Sequence, residues 1–234
     1  MTKCIIITGA SSGIGRETAL ALASQGHQLV LAARRQQLLL ELLEECAERG
    51  GSAHTVSCDV SSIDDCRMLV DEARRVGGTA EPVLVNAAGV AEFGDFAQMS
   101  VASVENQIQT NLVAPLYLCH EVIPWMLEVG KGQIVNVLSV AASQVFSGAT
   151  AYAAAKAGLL MAGRCLASEY RRQGIRVSSI LPGATDTPLW GDGGPPRSDM
   201  LPASAVAQTI ADIIAMPPDR NVDEITVMPP KGVL

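Results

Sequence analysis

Short aliphatic runs alternate with longer helical periods along the whole chain of 234 residues. The candidate strands cover 4–8, 28–33, 52–58, 82–86, 132–139, 175–181 and 224–228. The candidate helices between them cover 14–25, 36–49, 62–76, 100–128, 150–172 and 203–215. Strict alternation of this kind predicts an α/β fold, with a doubly wound parallel sheet and helices on both of its faces. Since no internal repeat or second unit interrupts it, we expect one domain, 1–234.

The composition suits a buried sheet and disfavours several classes of function. Hydrophobic residues make up 48% of the chain, as expected when both faces of a parallel sheet are covered. The formal net charge of −7 and an aromatic content of only 3% argue against a nucleic-acid partner. The longest uncharged stretch, 133–155, is broken by Asn136 and Gln144, so no membrane span is expected. The apolar run before the first glycines is too short for a signal peptide, and the sequence predicts a cytoplasmic protein.

Cysteine and histidine residues are scattered, without the spacing of a metal site. The six cysteines form no CxxC pair, and they are Cys4, Cys46, Cys58, Cys66, Cys119 and Cys165. We therefore expect no metal and no disulfide frame, but small buried thiols in a reducing compartment.

A glycine-rich turn, TGASSGIG at 8–15, follows the first predicted strand and opens the first helix. Glycines alone also mark ordinary turns, but a strand before the turn and a helix after it are what a nucleotide-binding turn requires. In that setting Gly9 lets the chain reverse, Gly13 allows close approach of a pyrophosphate, and Gly15 lets the helix lie against the sheet. The helix N-terminus would then favour the phosphate charge. The predicted contacts in this turn are Gly9, Ser11, Ser12, Gly13 and Ile14.

The helix TAYAAAKAG carries one tyrosine and one lysine among small residues. Tyr152 and Lys156 are four positions apart, so they share one helix face. An amphipathic helix with a half-packed tyrosine and a snorkelling lysine would explain them as well. A proton donor beside a cation is the other interpretation, because a nearby cation favours the phenolate.

These motifs together resemble the short-chain dehydrogenase/reductase family. The set comprises TGASSGIG, NAAG at 86–89, Ser139 and Tyr152-x-x-x-Lys156, in the family's order and separations along nearly the whole chain. The resemblance implies a Rossmann-type fold with a seven-stranded sheet, and hydride transfer between a nicotinamide cofactor and a carbonyl or secondary alcohol. It also implies roles for four residues. Tyr152 would be the acid/base, Lys156 would lower its pKa and bind the ribose, Ser139 would orient the substrate, and Asn111 would serve a proton relay.

The end of the second predicted strand bears on the choice of cofactor. An NAD enzyme usually offers an acid there to the ribose 2′-OH. This chain has Ala33, followed by Arg34 and Arg35, and a guanidinium can clamp a 2′-phosphate instead. The two arginines could also simply begin a solvated helix. We predict NADP(H), with Arg34 the first choice for the phosphate, Arg35 the second and Ser12 a helper.

The resemblance implies further cofactor contacts elsewhere in the chain. Asp59 and Val60 resemble the adenine-contacting pair, and PGATDT resembles the segment at the nicotinamide end. Ala87 stands where the family's NNAG turn has its second Asn. The residues implied in these segments are Asp59, Val60, Asn86, Ala87, Gly89, Pro182, Gly183, Thr185 and Thr187.

Substrate specificity is expected from two segments, VAASQVFS at 140–147 and the Gly- and Pro-rich loop at 184–202. They predict an apolar pocket with a mobile lid, to which the loop contributes Leu189 and Trp190. Arg197 could capture an anion, although a solvated surface arginine is the commoner state. Small aldehydes, ketones and 3-oxo or 3-hydroxy acid derivatives stay open, including a 3-oxoacyl group on a carrier protein.

The helices 100–128 and 150–170 are apolar beyond one stripe. Family members commonly pair through the corresponding helices, so the resemblance implies a homo-oligomer, a tetramer or a dimer. A non-catalytic NADP(H)-binding redox sensor is an alternative function, but it has no need of the set Asn111, Ser139, Tyr152 and Lys156. Epimerases and dehydratases among the larger relatives also use Tyr-x-x-x-Lys, but they need an added substrate domain.

Overall fold

Seven parallel strands form the centre of the molecule in a computed structural model that describes residues 2–191 and 193–232. The order across the sheet is β3-β2-β1-β4-β5-β6-β9. Its strands are β1 (Lys3–Thr8), β2 (Gln28–Ala33), β3 (Ser52–Ser57), β4 (Glu81–Asn86), β5 (Gly132–Val137), β6 (Ile175–Pro182) and β9 (Glu224–Val227). Each predicted strand is found within two residues of its expected ends, which confirms the doubly wound fold.

Helices cover both faces of the sheet. They are α1 (Gly13–Ala23), α2 (Gln36–Glu48), α3 (Ile63–Gly77), α4 (Val101–Ile108), α5 (Ala114–Val129), α6 (Thr150–Tyr170) and α7 (Ala203–Ala215). Alternation within the strands divides the core, because successive side chains of a strand point to opposite faces. Ile5 and Ile7 of β1 join the cluster under α1, α2 and α7, while Cys4 and Ile6 join the cluster under α3 and α5.

The predicted helix 100–128 is interrupted. A π-helical turn, Gln109–Val113, separates α4 from α5, and a 3₁₀ turn at Val140–Ala142 follows β5. The continuous stretch Val101–Val129 has the length and apolar composition to cross a membrane, but 44% of the window concerned is buried inside the fold. Its side chains Leu118, Val122 and Met126 belong to the core against the sheet, as in a core helix of a globular domain.

The loop 184–202 has more structure than predicted. Two short strands, β7 (Thr185–Asp186) and β8 (Leu201–Pro202), pair in parallel and close its base. Two 3₁₀ turns, Pro188–Trp190 and Arg197–Asp199, lie between them. The sequence gives little sign of so short a ladder, because a two-residue strand has no periodicity to detect. Asp192 of this loop, like Met1, Val233 and Leu234 of the predicted domain, lies outside the described residues.

Five of the six cysteines are buried, as expected of small apolar side chains, and all six are free thiols. Cys165 is the exception, since it is exposed on α6. Burial raises the pKa of Cys4, Cys58 and Cys66 to about 12, so these thiols stay protonated and inert at neutral pH.

Candidate active site

A cleft of about 1040 Å³ lies at the carboxyl ends of the parallel strands, where open α/β sheets bind their ligands. It is lined by turns and helix ends that are far apart in sequence. The predicted site residues in its wall are Gly9, Ser11, Ser12, Gly13, Ile14, Arg34, Arg35, Asp59, Val60, Ala87, Gly89, Asn111, Ser139, Tyr152, Lys156, Pro182, Gly183, Thr185 and Thr187. The fold therefore brings together every predicted site residue except Asn86.

Asn86 ends β4 but turns away from the cleft. Its Nδ2 donates to Oδ1 of Asn136 on the neighbouring strand at 2.9 Å, and its side chain is only 2% exposed. The pair sits inside the sheet, so Asn86 shapes the strand end without forming part of the cleft wall. The sequence motif cannot show this, since it does not reveal to which side of the sheet the amide points.

The glycine-rich turn has the backbone geometry that its spacing predicted. Gly9 adopts a φ of 65°, and a Cβ there would lie 2.8 Å from the Cα of Ala88. A Cβ on Gly15 would lie 2.6 Å from the carbonyl oxygen of Gly9. The turn thus packs closely against the loop that follows β4 and against the start of α1. A residue larger than glycine does not fit at position 9 or 15.

Thr8, which is not among the predicted site residues, joins this turn to the loop that follows β4. Its Oγ1 accepts hydrogen bonds from the backbone N–H groups of Ala87 and Ala88, at 3.1 and 3.2 Å. Thr8 therefore holds the ends of β1 and β4 in register beneath the cleft. Thr8 is 1% exposed, and its place as the first residue of TGASSGIG is the sequence signal that could have found it.

Arg35 is held in place at the end of β2. Its Nη2 donates to the hydroxyls of Ser11 and Ser12, at 2.8 and 2.7 Å, and its Nε donates to Ser11 at 3.2 Å. Arg34 beside it is exposed, and its charge helps to lower the pKa of Asp59. A guanidinium and two hydroxyls thus converge next to the uncharged end of β2, and this group fits a phosphate monoester.

Asp59 lies across the same end of the cleft. Its Oδ1 accepts hydrogen bonds from the backbone and the hydroxyl of Ser61, at 3.0 and 2.8 Å. These bonds are the main reason that the pKa of Asp59 is lowered. The carboxylate is therefore ionised and fixed, with its position set by the turn that follows β3.

Ser139, Tyr152 and Lys156 meet at the other end of the cleft. Tyr152 and Lys156 are 7% and 4% exposed, so the amphipathic-helix interpretation, with its lysine in water, does not hold. The ammonium Nζ of Lys156 donates to the carbonyl oxygen of Val137 at 2.9 Å and lies 5.7 Å from the centre of the Tyr152 ring. The Ser139 hydroxyl accepts the N–H of Ala141 at 3.1 Å, which fixes it at the end of β5.

Burial governs the titration of this group. It raises the pKa of Tyr152 to about 12, while a hydrogen bond with Ser139 acts in the opposite direction. Burial also lowers the pKa of Lys156 to about 8. Desolvation of the phenolate is thus the main cause of the Tyr152 pKa in the protein alone, and the lowering of that pKa by Lys156 stays a prediction. The phenol is fully protonated at neutral pH and is ready to donate.

Asn111 lies in the π-helical turn and is fully buried. Its Nδ2 donates to the carbonyl oxygens of Val90 and Gln107, at 2.7 and 3.0 Å, and its Oδ1 accepts the N–H of Val90 at 3.2 Å. A Cβ on Gly89 would lie 2.9 Å from that Oδ1. The side chain is thus used to hold the loop after β4 against the helix, next to Lys156.

Aromatic side chains form the wall beyond Tyr152. Phe93 meets the Tyr152 ring edge-on at 5.8 Å and stacks on Trp190 at 5.3 Å. Trp190 belongs to the predicted specificity loop, whereas Phe93 was not predicted, because no motif marks it. Val140, Ala141 and Phe146 of the predicted specificity segment line the cleft, whereas Gln144 does not.

Arg197 is exposed, as expected of a surface arginine, but it is not free to capture an anion. Its guanidinium donates to Oδ1 of Asp186 and to the backbone oxygens of Thr187 and Gly191, at 2.9, 2.8 and 2.8 Å. It fastens the loop, and its charge is paired.

Comparison with known proteins agrees with this arrangement. The short chain dehydrogenase model matches residues 3–196. The chain belongs to the short-chain dehydrogenase family. An uncharacterised oxidoreductase of Staphylococcus haemolyticus is 34% identical over 227 residues, which cover 97% of each chain. As an oxidoreductase of this family, the protein has the cleft and the polar set that the family resemblance implied.

Two solved dehydrogenase structures overlay closely. One is an alcohol dehydrogenase from the archaeon Thermococcus sibiricus in complex with 5-hydroxy-NADP, 25% identical, with a TM-score of 0.90 and coverage of 97% of this chain and 96% of that one. The other is a 7α-hydroxysteroid dehydrogenase in complex with NADH, 28% identical, with a TM-score of 0.91 and coverage of 99% and 94%. Neighbours of equal likeness thus hold either nicotinamide cofactor.

Proposed function

We propose that the protein is an NADP(H)-dependent oxidoreductase that interconverts a carbonyl group and a secondary alcohol. The observation that carries the proposal is the buried group of Ser139, Tyr152 and Lys156 in a cleft whose far end presents Arg35, Ser11 and Ser12. The cofactor, when bound, supplies the hydride that reduces the carbonyl carbon. The roles below are those of the chain's own residues.

Tyr152 donates the proton that the carbonyl oxygen needs during reduction. Its phenol is protonated at neutral pH because burial raises its pKa to about 12. Ser139 orients the oxygen, since its hydroxyl is fixed by Ala141 beside the phenol. The Lys156 ammonium then stabilises the phenolate that is left, and a cation is effective there because the surroundings are dry. In this proposal Lys156 also bonds the ribose, and Asn111 maintains the path by which a proton returns.

The proposed role of Tyr152 predicts the effect of replacing it by phenylalanine. Tyr152→Phe removes the donated proton and leaves the ring, so we expect turnover to fall by at least about 100-fold with NADPH affinity nearly unchanged. NADPH oxidation with a carbonyl panel measures the first quantity, and fluorescence titration of NADPH measures the second. A Tyr152→Phe rate near that of the wild type would overturn the role of Tyr152. NADPH binding without turnover on any compound would favour the redox sensor.

The preference for NADP(H) rests on the two arginines, because the neighbours hold both kinds of cofactor. In this proposal Arg34 is the first choice for the 2′-phosphate, and Arg35, which bonds Ser11 and Ser12, is the second. Arg34→Ala and Arg35→Ala each remove a charge-assisted hydrogen bond to the phosphate. We expect each variant to raise the KM for NADPH by about 10- to 100-fold, without a matching rise in the KM for NADH. Arg67→Ala, an exposed arginine on α3, is the control. Equal KM values for the two cofactors in the wild type would contradict the preference.

We further propose a cytoplasmic homo-oligomer, a tetramer or a dimer, that has a small-molecule substrate and needs neither membrane nor nucleic acid. The exposed apolar side chains Val101 on α4 and Met161 on α6 support association, at 72% and 55% exposure. Light scattering coupled to gel filtration tests it, and a monomer at micromolar concentration would contradict it.

A further inference from the structure

The wall of the cleft beyond Tyr152 is aromatic and planar. Phe93 stacks on Trp190 with their ring planes 24° apart, and its own edge meets the Tyr152 ring at 69°. All three rings line the same cleft. A group attached to a carbonyl carbon beside the Tyr152 hydroxyl would therefore lie along the Phe93–Trp190 pair.

This wall is held in place by the loop 184–202. The indole Nε1 of Trp190 donates to the carbonyl oxygen of Thr185 at 3.0 Å. Arg197 bonds the backbone on both sides of Trp190, at Thr187 and Gly191. A Cβ on Gly194 would lie 2.6 Å from the indole ring, so the chain passes directly over it. The indole is therefore positioned in advance, and binding a flat group needs little ordering.

Apart from Lys156, which is buried beside Tyr152 and donates to the carbonyl oxygen of Val137, the charged side chains of the cleft lie at its other end. Among the described residues that line it, the charged ones are Arg34, Arg35, Asp59 and Lys156, and none of them belongs to the aromatic wall.

Cations on the segments next to the wall are neutralised. Arg197 is paired with Asp186 at 2.9 Å, and Lys231 is paired with Asp199 at 2.6 Å. The loop that carries Phe93 adds the acids Glu92 and Asp95. An anionic group that lies along Phe93 and Trp190 would thus meet acids and paired cations, and it would lose its hydration without gaining a partner.

We infer that the substrate is an uncharged carbonyl compound whose carbonyl carbon bears a planar apolar group, and that this group packs on Phe93 and Trp190. The inference rests on the proposed function and deepens it. It excludes free oxo acids, and it disfavours acyl groups on acidic carriers, which need a cationic landing site. The alternatives that the sequence left open are thereby narrowed to neutral ketones, aldehydes and esters.

Three α-oxo compounds separate size from charge. Ethyl pyruvate and ethyl benzoylformate differ by methyl against phenyl, while benzoylformate differs from its ethyl ester by one negative charge. We expect kcat/KM of the phenyl ester to exceed that of both others by about 10-fold or more, because one buried aromatic group contributes about that much. A rate on ethyl pyruvate or on benzoylformate that equals or exceeds that on ethyl benzoylformate would overturn the inference.

Variants of the wall test where the phenyl group binds. Trp190→Ala and Phe93→Leu should reduce the phenyl-to-methyl preference by about 5- to 10-fold, mainly through KM. Trp190→Phe keeps an aromatic ring and should keep most of the preference for phenyl over methyl. That result would exclude a misfolded loop as the cause of the loss in Trp190→Ala. Met68→Ala, an exposed apolar side chain on α3 that does not line the cleft, is the matched control. A phenyl-to-methyl preference that survives both Trp190→Ala and Phe93→Leu would contradict the assignment. So would an Arg197→Gln variant whose kcat/KM falls on benzoylformate but not on ethyl benzoylformate, because Arg197 would then bind the carboxylate.

Binding can be followed without turnover, so failure of the proposed function is distinguishable. The chain has two tryptophans, and Trp125 is buried in the core at 2% exposure. Ethyl benzoylformate should therefore quench the fluorescence of Trp190, and ethyl pyruvate at the same concentration should not. The signal should vanish in Trp190→Phe. Quenching without NADPH oxidation would support the aromatic binding site and contradict the proposed reductase activity. NADPH oxidation without phenyl-dependent quenching would support the reductase activity and contradict the aromatic binding site.

Discussion

At the level of single side chains, Lys156 combines a functional charge with a cost in stability. Its pKa is about 8 in the folded protein, against an ordinary value of 10.5, because burial disfavours the ammonium. Between these values the unfolded chain binds more protons than the folded one, so the stability of the wild type rises with pH there. Relative to Lys156→Met, the wild type should gain up to about 3 kcal/mol in unfolding free energy between pH 7 and pH 10.5.

Urea unfolding of both proteins across this pH range measures the difference. A difference between wild type and Lys156→Met that is flat from pH 7 to 10.5 would contradict the depressed pKa.

The same titration predicts the pH dependence of activity. Lys156 loses its charge as pH rises through about 8, and with it the cation that stabilises the Tyr152 phenolate. The kcat/KM for carbonyl reduction should therefore be level below that pH and should fall above it. Lys156→Arg, whose guanidinium does not deprotonate, should remove the fall even if its overall rate is low. A wild-type profile that rises above pH 8 would contradict this assignment.

Among the helices and turns, the π-helical turn at Gln109–Val113 is held open by one side chain. Asn111 bonds both the N–H and the carbonyl of Val90, which are partly buried polar groups of the neighbouring loop. Asn111→Leu should cost about 2 kcal/mol in unfolding free energy and should lower kcat, because the loop at Gly89 would no longer be fixed beside Lys156. Urea unfolding and NADPH oxidation measure the two effects.

Asn106→Leu serves as the control for the π-turn, since Asn106 is an exposed amide one turn earlier in α4. It should change the unfolding free energy by less than about 0.5 kcal/mol. An Asn111→Leu protein with wild-type stability and kcat would show that the turn does not depend on this side chain.

Across the molecule as a whole, the amino ends of the strands, opposite the cleft, carry a largely buried ionic network. Lys3 of β1 contacts Glu81 of β4 at 3.2 Å and Gln133 of β5 at 3.4 Å, while Arg176 of β6 approaches the same glutamate at 3.8 Å. Four strands are thus joined around one carboxylate. Glu81→Gln leaves the charges of Lys3 and Arg176 without a carboxylate partner and should lower the unfolding free energy by about 3 kcal/mol. The kcat should be unchanged, because the cleft lies at the opposite ends of the strands.

Glu128→Gln is the matched control for this network. Glu128 pairs with Arg74 in the open, and such exposed pairs contribute less than about 1 kcal/mol. Thermal or urea unfolding should separate the two variants clearly. Equal destabilisation by Glu81→Gln and Glu128→Gln would show that burial adds nothing to the network.

Local patterns in the sequence were sufficient for the fold, and for most of the cofactor end of the site. Strand–helix alternation predicts the parallel sheet, because strands buried on both faces must be continuously apolar. Gly9 and Gly13 predict the turn, since their conformation with positive φ is a property of glycine itself. The helical spacing of Tyr152 and Lys156 likewise places them together without further information.

Contacts between residues far apart in the chain could not be predicted from the sequence in the same way. The direction of the Asn86 amide, the bonding of Arg197 within its loop and the stacking of Phe93 on Trp190 each join residues through space. The raised pKa of Tyr152 is of the same kind, because desolvation depends on every group packed around the phenol. The sequence thus determines backbone preferences and the spacing of neighbours along one element. Burial, and the pairing of charges from different elements, are set only when the chain has folded, and they govern the substrate end of this cleft.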